Sequence, residues 1–360
     1  MTESHHPTAK LMGTGSYLPP DSMTNPELFE KESIRGAFDL ERARTSLRRS
    51  HQDVESLSPE EVFDRWAQQV TGIRARRVAD PGGTLTTESM AAEASKAALR
   101  DAGLEPGEVD LILFGTVTPS DGVPNAACTL GELLGIPKVG GYTINGACAA
   151  FVQALGSAYA FIRSGMAETV LAVASDTLTR IVNYADPTTA VLFSDGASAA
   201  VLSASKEPGV LGPPQFTGDY KREHLFIVGQ GWESEEEPVP KLHMGGGPRV
   251  LKRAILAMEG VATRALQEAG VGWESVDLVV PHQANLRITK GLEGQLDLPR
   301  GRVIHTIAEY GNCSAATVGV ALDEALRGEH GPVPDPARMV LTSVGGGYTT
   351  AALVLDVSKS

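Results

Sequence analysis

Cysteine is scarce in this 360-residue chain, and long apolar runs are missing. The three cysteines, Cys128, Cys148 and Cys313, are too few for a framework of disulfides, which favours a reducing compartment. No run of about eighteen apolar residues occurs, and the opening segment MTESHHPTAK lacks the apolar centre of a signal peptide. We therefore expect a cytoplasmic protein that has no membrane partner.

Basic side chains are outnumbered by acidic ones. The chain has 31 Lys and Arg against 44 Asp and Glu, so its net charge is −13 and its pI is about 5.1. This balance argues against bulk binding of nucleic acid, and a polyanionic partner would need a local basic patch. The motifs HExxH and paired CxxC are absent, and GTGSYL (13–18) lacks the third glycine of a dinucleotide fingerprint. The sequence therefore predicts neither a metal site nor a cofactor.

What the chain does contain is an internal repeat. The segment AALRDAGLEPGEVDLILFG (97–115) matches RALQEAGVGWESVDLVVPH (264–282), and each reads as a helix, a glycine stop, a turn and an apolar strand. Two further pairs follow in the same order, TVLAVASD with MVLTSVGG and GASAAVL with YTTAALV. This order predicts two homologous halves, which we place at 8–215 and 216–360.

Short strands rich in Val, Ile and Leu alternate with helices, which predicts an α/β fold whose sheets are covered on both faces. Residues 206–248 have the composition of loops and of a linker between the halves. Residues 33–60 are interpreted as an insertion in the first half. Its basic segment RARTSLRR and the polar, acidic stretch that follows are typical of a solvated surface.

The first candidate site residue is Cys148, in GACAAF (146–151). The residues YTIN before it end a predicted strand, and AAFVQALGSAYAFIRSG after it predicts a helix. In the first turn of a helix, backbone N–H groups and the helix dipole stabilise a thiolate and lower the thiol pKa. The position therefore suits a nucleophile, and a buried inert cysteine is the structural alternative.

Three more strand ends carry candidate groups. His282 follows the apolar strand in VVPHQANLRI, Asn312 lies in EYGNCSAAT at the repeat's counterpart of Cys148, and SVGGGYTTA (343–351) has three glycines after a strand. Each has a structural alternative, namely a satisfied core histidine, a helix N-cap and a tight turn. Together the four junctions favour one site, because a thiolate, an imidazole, an amide and glycine N–H groups suit acyl-thioester chemistry.

At these residues the sequence resembles the thiolase superfamily, and within it the β-ketoacyl-acyl-carrier-protein synthase III family. The resemblance extends from GTGSYLP to the final GGGYTTAALVL, and its specific pieces are HQANLRI, GNCSAAT, ACA before a helix, and TGIRARR. It implies a thiolase-like five-layer αβαβα fold and a homodimer. It also implies a triad in which Cys148 is the nucleophile and His282 and Asn312 are its partners.

The resemblance further implies a reaction in two steps. Cys148 takes an acyl group from a coenzyme A thioester or an acyl carrier protein, and the N–H groups of Cys148 and Gly346 hold the oxyanion. Malonyl-carrier protein then loses carbon dioxide while His282 and Asn312 donate hydrogen bonds to its thioester carbonyl. The resulting enolate attacks the acyl-cysteine. The thioesters are substrates, and no cofactor is implied.

Other family positions concern substrate binding. Trp66 matches a residue that stacks on the adenine of coenzyme A. Val344 stands where the family has a phenylalanine before its glycine run. Val123 aligns with an acyl-pocket residue that the partner subunit lends, where phenylalanine is common, and the smaller side chain suggests a longer or branched acyl group. The insertion at 33–60 lies just before Trp66 and is expected to border the substrate entrance.

A basic patch could dock an acidic carrier protein despite the net negative charge. The residues predicted to form it are Arg249, Lys252, Arg253, Arg287 and Lys290.

Alternatives within the superfamily differ at single positions. A degradative thiolase needs a second cysteine where Val344 and Gly345 stand, and a hydroxymethylglutaryl synthase-like enzyme needs a glutamate where Val117 stands. The sequence therefore disfavours both.

Two enzyme hypotheses remain. One is a condensing enzyme of fatty acid or polyketide synthesis. The other is a specialised acyltransferase that passes the acyl group to an alcohol, an amine or a second carrier-bound chain. A non-catalytic partner subunit is a third hypothesis, although such a subunit normally lacks the cysteine present here as Cys148.

Overall fold

The computed structural model describes residues 7–50, 53–80, 83–221, 225–228, 241–244 and 247–358. The strands in these segments are β1 (Thr8–Tyr17), β2 (Ser22–Thr24), β3 (Ala75–Arg77), β4 (Leu111–Gly115), β5 (Gly140–Ile144), β6 (Thr169–Thr177), β7 (Asp195–Ser205), β8 (Val210–Lys221), β9 (Leu225–Val228), β10 (Lys241–Met244), β11 (Leu278–Pro281), β12 (Ala337–Val344) and β13 (Gly347–Val357).

The α-helices of the same segments span from four to 22 residues. They are α1 (Asn25–Phe29), α2 (Glu32–Ala37), α3 (Leu40–Leu47), α4 (Pro59–Thr71), α5 (Thr87–Ala102), α6 (Ala126–Leu133), α7 (Ala150–Arg163), α8 (Pro187–Ala190), α9 (Gly247–Glu268), α10 (Leu286–Leu296), α11 (Ile307–Tyr310) and α12 (Ala316–Leu326). Within the described part of the chain, none of them has the length and apolar character that a membrane crossing requires.

The pairing of the strands shows the internal repeat. One sheet has the order β1-β7-β6-β4-β5, and the other has the order β8-β13-β12-β11. In each sheet a parallel pair, β4 with β6 or β11 with β12, continues into an antiparallel pair, β6 with β7 or β12 with β13. The outermost strand, β1 or β8, is antiparallel to its neighbour. The matched segments of the sequence therefore occupy equivalent places in the two sheets.

The two sheets enclose a central layer of helices. Helices α7 and α12 lie between them, and Phe151, Leu155, Val318 and Leu322 of these helices share one buried core with residues of both sheets. Helices α5 and α6 cover the outer face of the first sheet, and α9 covers the outer face of the second. The layers follow the order helix, sheet, helix, sheet, helix, as the family resemblance implies.

Two local predictions differ from the structure. The segment VIHTI is not a full strand, because its only pairing in the described residues is a parallel bridge from Val303 to Val279. Part of the predicted linker is also wrong, because β8 begins at Val210 and pairs with β13. Pro213 and Pro214 fit in β8 because it is an edge strand, where a missing N–H costs no ladder hydrogen bond. The predicted boundary between 215 and 216 falls inside this strand. The acidic segment ESEEEPVP (233–240) lies outside the described residues.

The insertion at 33–60 folds as helices rather than as a wholly solvated segment. It contains most of α2, all of α3 and the first residues of α4, and Ala43, Leu47 and Val54 are buried against α4. The guanidinium of Arg44 donates to the carbonyl of Leu57 at 2.9 Å. Because this arginine holds a turn of the insertion, its charge is not simply part of a solvated basic face.

We predict that Gly13→Ala lowers the free energy of unfolding. Strand β1 lies so close to α5 that a Cβ on Gly13 would stand 2.5 Å from the carbonyl oxygen of Ala98, a backbone atom that cannot turn aside. Overpacking of this kind costs about 1–3 kcal/mol. Urea denaturation measures it, with Gly107→Ala as the control because a Cβ there meets no atom within 4 Å. Equal stabilities for the two variants would contradict the close packing.

Candidate active site

A cavity of about 310 Å³ opens at the carboxyl ends of the central strands and reaches Cys148. Most of its lining is apolar, and its polar groups converge from both halves of the chain. The predicted site residues that line it are Trp66, Cys148, His282, Arg287, Asn312, Val344 and Gly346. The four junctions singled out in the sequence therefore meet at one place.

Cys148 lies in a tight turn rather than inside a helix. The 3₁₀ turn Ala147–Ala149 follows β5, and α7 starts at Ala150. Ala147 has a φ of 46°, a left-handed conformation that non-glycine residues adopt at a cost. The hydroxyl of Ser343, at the end of β12, donates to the carbonyl of Cys148 at 2.7 Å. The second sheet thus helps to hold the strained turn that presents the thiol.

The thiol of Cys148 is buried, and this burial raises its pKa to about 12. A hydrogen bond from Ser314 opposes the rise, and the carboxylate of Asp176 adds to it. The sequence predicted a lowered pKa from the start of the helix, and that prediction is wrong for the free protein. Desolvation outweighs the backbone N–H groups here because the thiol has almost no contact with water. The Cys148 proton therefore needs an acceptor when the sulfur reacts.

His282 follows β11 directly, and its backbone N–H donates to the carbonyl of Thr342 at 2.9 Å. Burial lowers the pKa of its imidazole to about 3, so the ring is neutral at pH 7. Its Nδ1 lies 2.6 Å from the hydroxyl of Thr317, and that hydroxyl donates to the carbonyl of Ser314 at 3.0 Å. The Thr317 hydroxyl has one proton, so the tautomer of His282 depends on which acceptor it serves. When the proton turns to Nδ1 instead, Nε2 carries the ring proton, and the imidazole can donate a hydrogen bond to a ligand.

Asn312 is fixed at both its backbone and its side chain. Its N–H donates to Leu192 at 2.9 Å, and its carbonyl accepts from Ser194 at 3.0 Å. Its Oδ1 accepts from the N–H of Ser314 at 2.9 Å. This bond assigns the orientation of the amide and leaves Nδ2 as the donor that Asn312 offers to a ligand. The predicted alternative of a simple helix N-cap does not describe this residue, because α12 begins only at Ala316.

The glycine run after β12 approaches the Cys148 turn very closely. A Cβ on Gly345 would lie 3.0 Å from the backbone nitrogen of Cys148, so a side chain there would press against the turn. Gly346 follows at the cavity wall, next to Val344, which is itself 7 % exposed. Bare backbone beside the thiol is the arrangement that a pair of N–H donors for an oxyanion requires.

The insertion reaches the cavity through an aromatic contact. Trp66 lines the cavity and is half-buried, and its ring lies 5.2 Å from the ring of Phe38 and 5.8 Å from that of Phe63. Phe38 belongs to the insertion, so the insertion packs behind Trp66, a residue of the cavity wall. That the insertion borders the substrate entrance stays a prediction. Stacking of Trp66 on an adenine stays a prediction.

The predicted basic patch divides between different faces of the molecule. Lys252 and Arg287 share a groove between α9 and α10 next to the cavity. Arg253 faces another groove and pairs with Asp219 at 3.2 Å. Lys290 lies near enough to His305 to lower the pKa of that histidine, which burial lowers first and Glu293 raises. The side chain of Arg249 lies outside the described residues.

Val123 does not line the cavity of its own chain and is 90 % exposed. Strand β5, which follows in the sequence, forms an open edge of the first sheet, and its Tyr142 is 40 % exposed. An open edge and exposed apolar side chains suit an interface with another chain. The predicted homodimer, in which Val123 enters the partner's cavity, stays a prediction.

Four polar residues at the site received no role from the sequence. They are Asp176, Ser314, Thr317 and Ser343. All four lie within segments that the sequence singles out, either at strand ends or in GNCSAAT. Their position in these segments was the one sign in the sequence that they belong to the site. Their contacts could not be predicted, because they depend on how the two halves pack together.

Comparisons with known proteins show to which family the chain belongs. The models 3-oxoacyl-[acyl-carrier-protein (ACP)] synthase III and its C-terminal counterpart match residues 142–214 and 266–357. The 3-oxoacyl-[acyl-carrier-protein] synthase III from Aquifex aeolicus VF5 is 34 % identical, with 97 % of this chain and 100 % of that chain covered and a TM-score of 0.81. The chain belongs to the 3-oxoacyl-[acyl-carrier-protein] synthase III family.

Two other structures support the same assignment. The synthase III from Pseudomonas aeruginosa PAO1 is 31 % identical, covers 98 % of this chain and 99 % of its own, and has a TM-score of 0.82. The priming β-ketosynthase of the R1128 polyketide pathway is 30 % identical and has a TM-score of 0.84. The match covers 100 % of this chain and 99 % of that chain. The predicted family (3-oxoacyl and β-ketoacyl are synonyms) and the thiolase-like fold are confirmed. The protein is a synthase III-like condensing enzyme of fatty acid or polyketide biosynthesis.

We predict that His282 makes the stability of this synthase III-like protein fall in mild acid. Burial lowers the pKa of His282 from 6.5 to about 3, so protonation favours the unfolded chain. The contribution of the neutral ring to the free energy of unfolding is complete above pH 6.5 and declines as the pH falls towards 3. Between pH 7 and pH 5 the wild type should lose about 2 kcal/mol more than His282→Gln.

Urea denaturation at a series of pH values measures this difference. The matched control is His330→Gln, because His330 binds Glu324 at 3.0 Å and does not line the cavity. Parallel pH profiles for wild type and His282→Gln would show that His282 is not held neutral by burial.

Proposed function

We propose that the protein condenses an acyl group carried on Cys148 with malonyl-acyl-carrier protein, which gives a β-ketoacyl-carrier product. The observation that supports this most strongly is the meeting of Cys148, His282, Asn312 and Gly346 on one mostly apolar cavity. A thiol nucleophile and separate hydrogen-bond donors for an oxygen anion are the groups that such a reaction requires. Each comes from a different junction between elements of the fold, and that of Asn312 lies between α11 and α12.

In the first half-reaction, the Cys148 sulfur attacks the carbonyl carbon of an acyl thioester. The thioester belongs to coenzyme A or to an acyl carrier protein. Negative charge develops on the carbonyl oxygen, and the N–H groups of Cys148 and Gly346 stabilise it. The close approach of the glycine run to the Cys148 turn supports this pair of donors. Expulsion of the thiol leaves the acyl group on Cys148.

In the second half-reaction, the malonyl thioester enters the same cavity. Its carboxylate leaves as carbon dioxide, and the electron pair moves onto the thioester carbonyl as an enolate. The neutral ring of His282 and the amide of Asn312 donate hydrogen bonds to that oxygen. The fixed Oδ1 of Asn312 supports its amide nitrogen as one donor, and the low pKa of His282 supports a neutral ring, which donates in the tautomer that has its proton on Nε2. The enolate carbon then attacks the acyl-cysteine.

The outer part of the cavity suits the carriers of the two thioesters. The half-buried ring of Trp66 gives a flat apolar surface for an adenine, and Arg287 with Lys252 places two cations beside the opening. We assign docking of an acidic carrier protein to this smaller pair. We retain the homodimer as part of the proposal, because Val123 is too exposed in the single chain to form an acyl pocket there.

We predict that the two half-reactions separate in variants. His282→Ala and Asn312→Ala should still form an acyl adduct on Cys148, but each should slow the malonyl-dependent step about a hundredfold or more, since one oxyanion donor is lost. Cys148→Ala should form no adduct. Intact-protein mass spectrometry with a panel of acyl-CoAs, with and without malonyl-carrier protein, measures both steps.

Two controls accompany this experiment. Cys128→Ser removes the exposed cysteine, and His330→Ala removes a histidine away from the cavity; both should react as the wild type does. An adduct that persists with malonyl-carrier protein in the wild type would favour the specialised acyltransferase. The absence of an adduct with every donor would contradict the proposed function.

A further inference from the structure

A buried carboxylate beside Cys148 has one oxygen with four donors and one without any. Asp176, near the end of β6, is 0 % exposed. Its Oδ1 accepts from Thr116 Oγ1 at 2.9 Å, from Val117 N at 2.8 Å, and from Thr118 N and Oγ1 at 3.2 and 2.9 Å. Its Oδ2 is buried and has no hydrogen-bond partner among the described residues. A buried carboxylate oxygen without a partner costs free energy. The four donors to Oδ1 already hold the side chain in place, so the fold does not need Oδ2 in this position.

The hydroxyl of Ser314 lies between this carboxylate and the thiol. It donates to Cys148 Sγ at 3.8 Å, and it is close enough to Asp176 to lower the pKa of that carboxyl group. Ser314 is held in place by its N–H bond to Asn312 Oδ1 at 2.9 Å, and its φ of 55° places it in the left-handed region. A strained residue that is fixed at this position connects the sulfur to the carboxylate.

We propose that Asp176 accepts the proton of Cys148 through Ser314 during acylation and returns it during condensation. This inference rests on the proposed function, because it needs an acyl group on Cys148. Asp176 touches neither substrate nor sulfur, so it acts through Ser314. The residue stores one proton for as long as Cys148 carries the acyl group.

The proton and the charge balance in both half-reactions. The Ser314 hydroxyl first rotates, so that its proton turns from Cys148 Sγ to Asp176 Oδ2 and its oxygen faces the thiol. As the Cys148 sulfur attacks, the thiol proton then moves to Ser314 Oγ while the Ser314 proton moves to Asp176 Oδ2. The leaving group departs as a thiolate and takes a proton from the solvent. In condensation the carboxylate of malonate leaves as carbon dioxide, and the enolate attacks the acyl-cysteine and expels a Cys148 thiolate. That thiolate recovers the stored proton by the same path, and Asp176 is ionised again.

Charge conservation favours Asp176 over His282 as the acceptor. Transfer from a thiol to a carboxylate moves one negative charge within the buried site but creates no new charge. Transfer to a neutral imidazole creates two charges where water is scarce. The directions of the pKa shifts agree, because burial raises the pKa of Asp176 and lowers that of His282. The donors to Oδ1 favour the ionised carboxylate and so oppose the rise in pKa that burial causes.

Proton uptake gives this pathway a signature that a structural role would not give. If Asp176 keeps the Cys148 proton, the departing thiolate must be protonated from solvent, so acylation removes about one proton per adduct from the medium at pH 7. If the Cys148 proton passes to the leaving group or to the solvent, acylation has no net uptake. The whole protein with an acyl-CoA, a weak buffer and a pH-indicator dye measures the uptake, and mass spectrometry counts the adduct.

Two variants and a matched control sharpen the test. Asp176→Asn keeps an oxygen for the four donors but cannot store a proton, and Ser314→Ala removes the connecting hydroxyl. Both should show no proton uptake and slower acylation, by about 10² or more. Asp195→Asn is the control, because Asp195 is as fully buried but both of its oxygens are occupied by Ala79 and Thr179. It should retain uptake of about one proton.

The possible outcomes are distinct. Uptake of about one proton in the wild type that is lost in Ser314→Ala supports the inference even if Asp176→Asn fails to fold. An adduct that forms in the wild type with no net uptake overturns it while leaving the proposed function intact. Unchanged uptake in a folded Asp176→Asn also overturns it. If no acyl-CoA gives an adduct, the proposed function and this inference fail together.

Discussion

Exclusion of water from the Cys148 turn is the constraint on which the chemistry of this site depends. The thiol is enclosed by α7, the glycine run after β12 and Ser314, and in this environment its pKa rises to about 12. The same burial keeps His282 uncharged. A dry site strengthens hydrogen bonds to a developing oxyanion, but it also makes the loss of the thiol proton costly. The arrangement of donors and acceptors around the sulfur has to meet both demands.

The duplicated architecture explains why these groups can meet. Each half supplies a sheet in which four strands have the same order, and β5 adds a fifth strand to the first sheet. Each central helix begins behind a tight turn, at Cys148 or at Asn312. Because α7 and α12 share the layer between the sheets, the turns before them come together at one cavity. His282 and the glycine run follow adjacent strands of the second sheet, at the same end. One half alone would hold only part of this set of groups.

The repeat and the four junctions were predictable from the sequence because they depend on local patterns, whereas the order of the five layers was implied by the family resemblance. Features that depend on packing between distant parts of the chain were harder to predict from the sequence. Lys252 and Arg253 are neighbours in the chain, yet consecutive residues of a helix point about 100° apart, so they face different grooves. The pKa of Cys148 was mispredicted because the helix start is visible in the sequence and the depth of burial is not. In the sequence Asp176 is only the last residue of TVLAVASD, and its contacts with Thr116, Val117 and Ser314 form when the chain folds.

A crystal structure of the protein after reaction with an acyl-CoA would test the central claim most directly. The account predicts an acyl group bonded to Cys148 Sγ, with its carbonyl oxygen within hydrogen-bonding distance of the backbone nitrogens of Cys148 and Gly346. His282 and Asn312 should then remain available to a second ligand. An acyl group on another residue, or a carbonyl oxygen bound by His282 and Asn312 instead, would contradict the assignment of the two sets of donors.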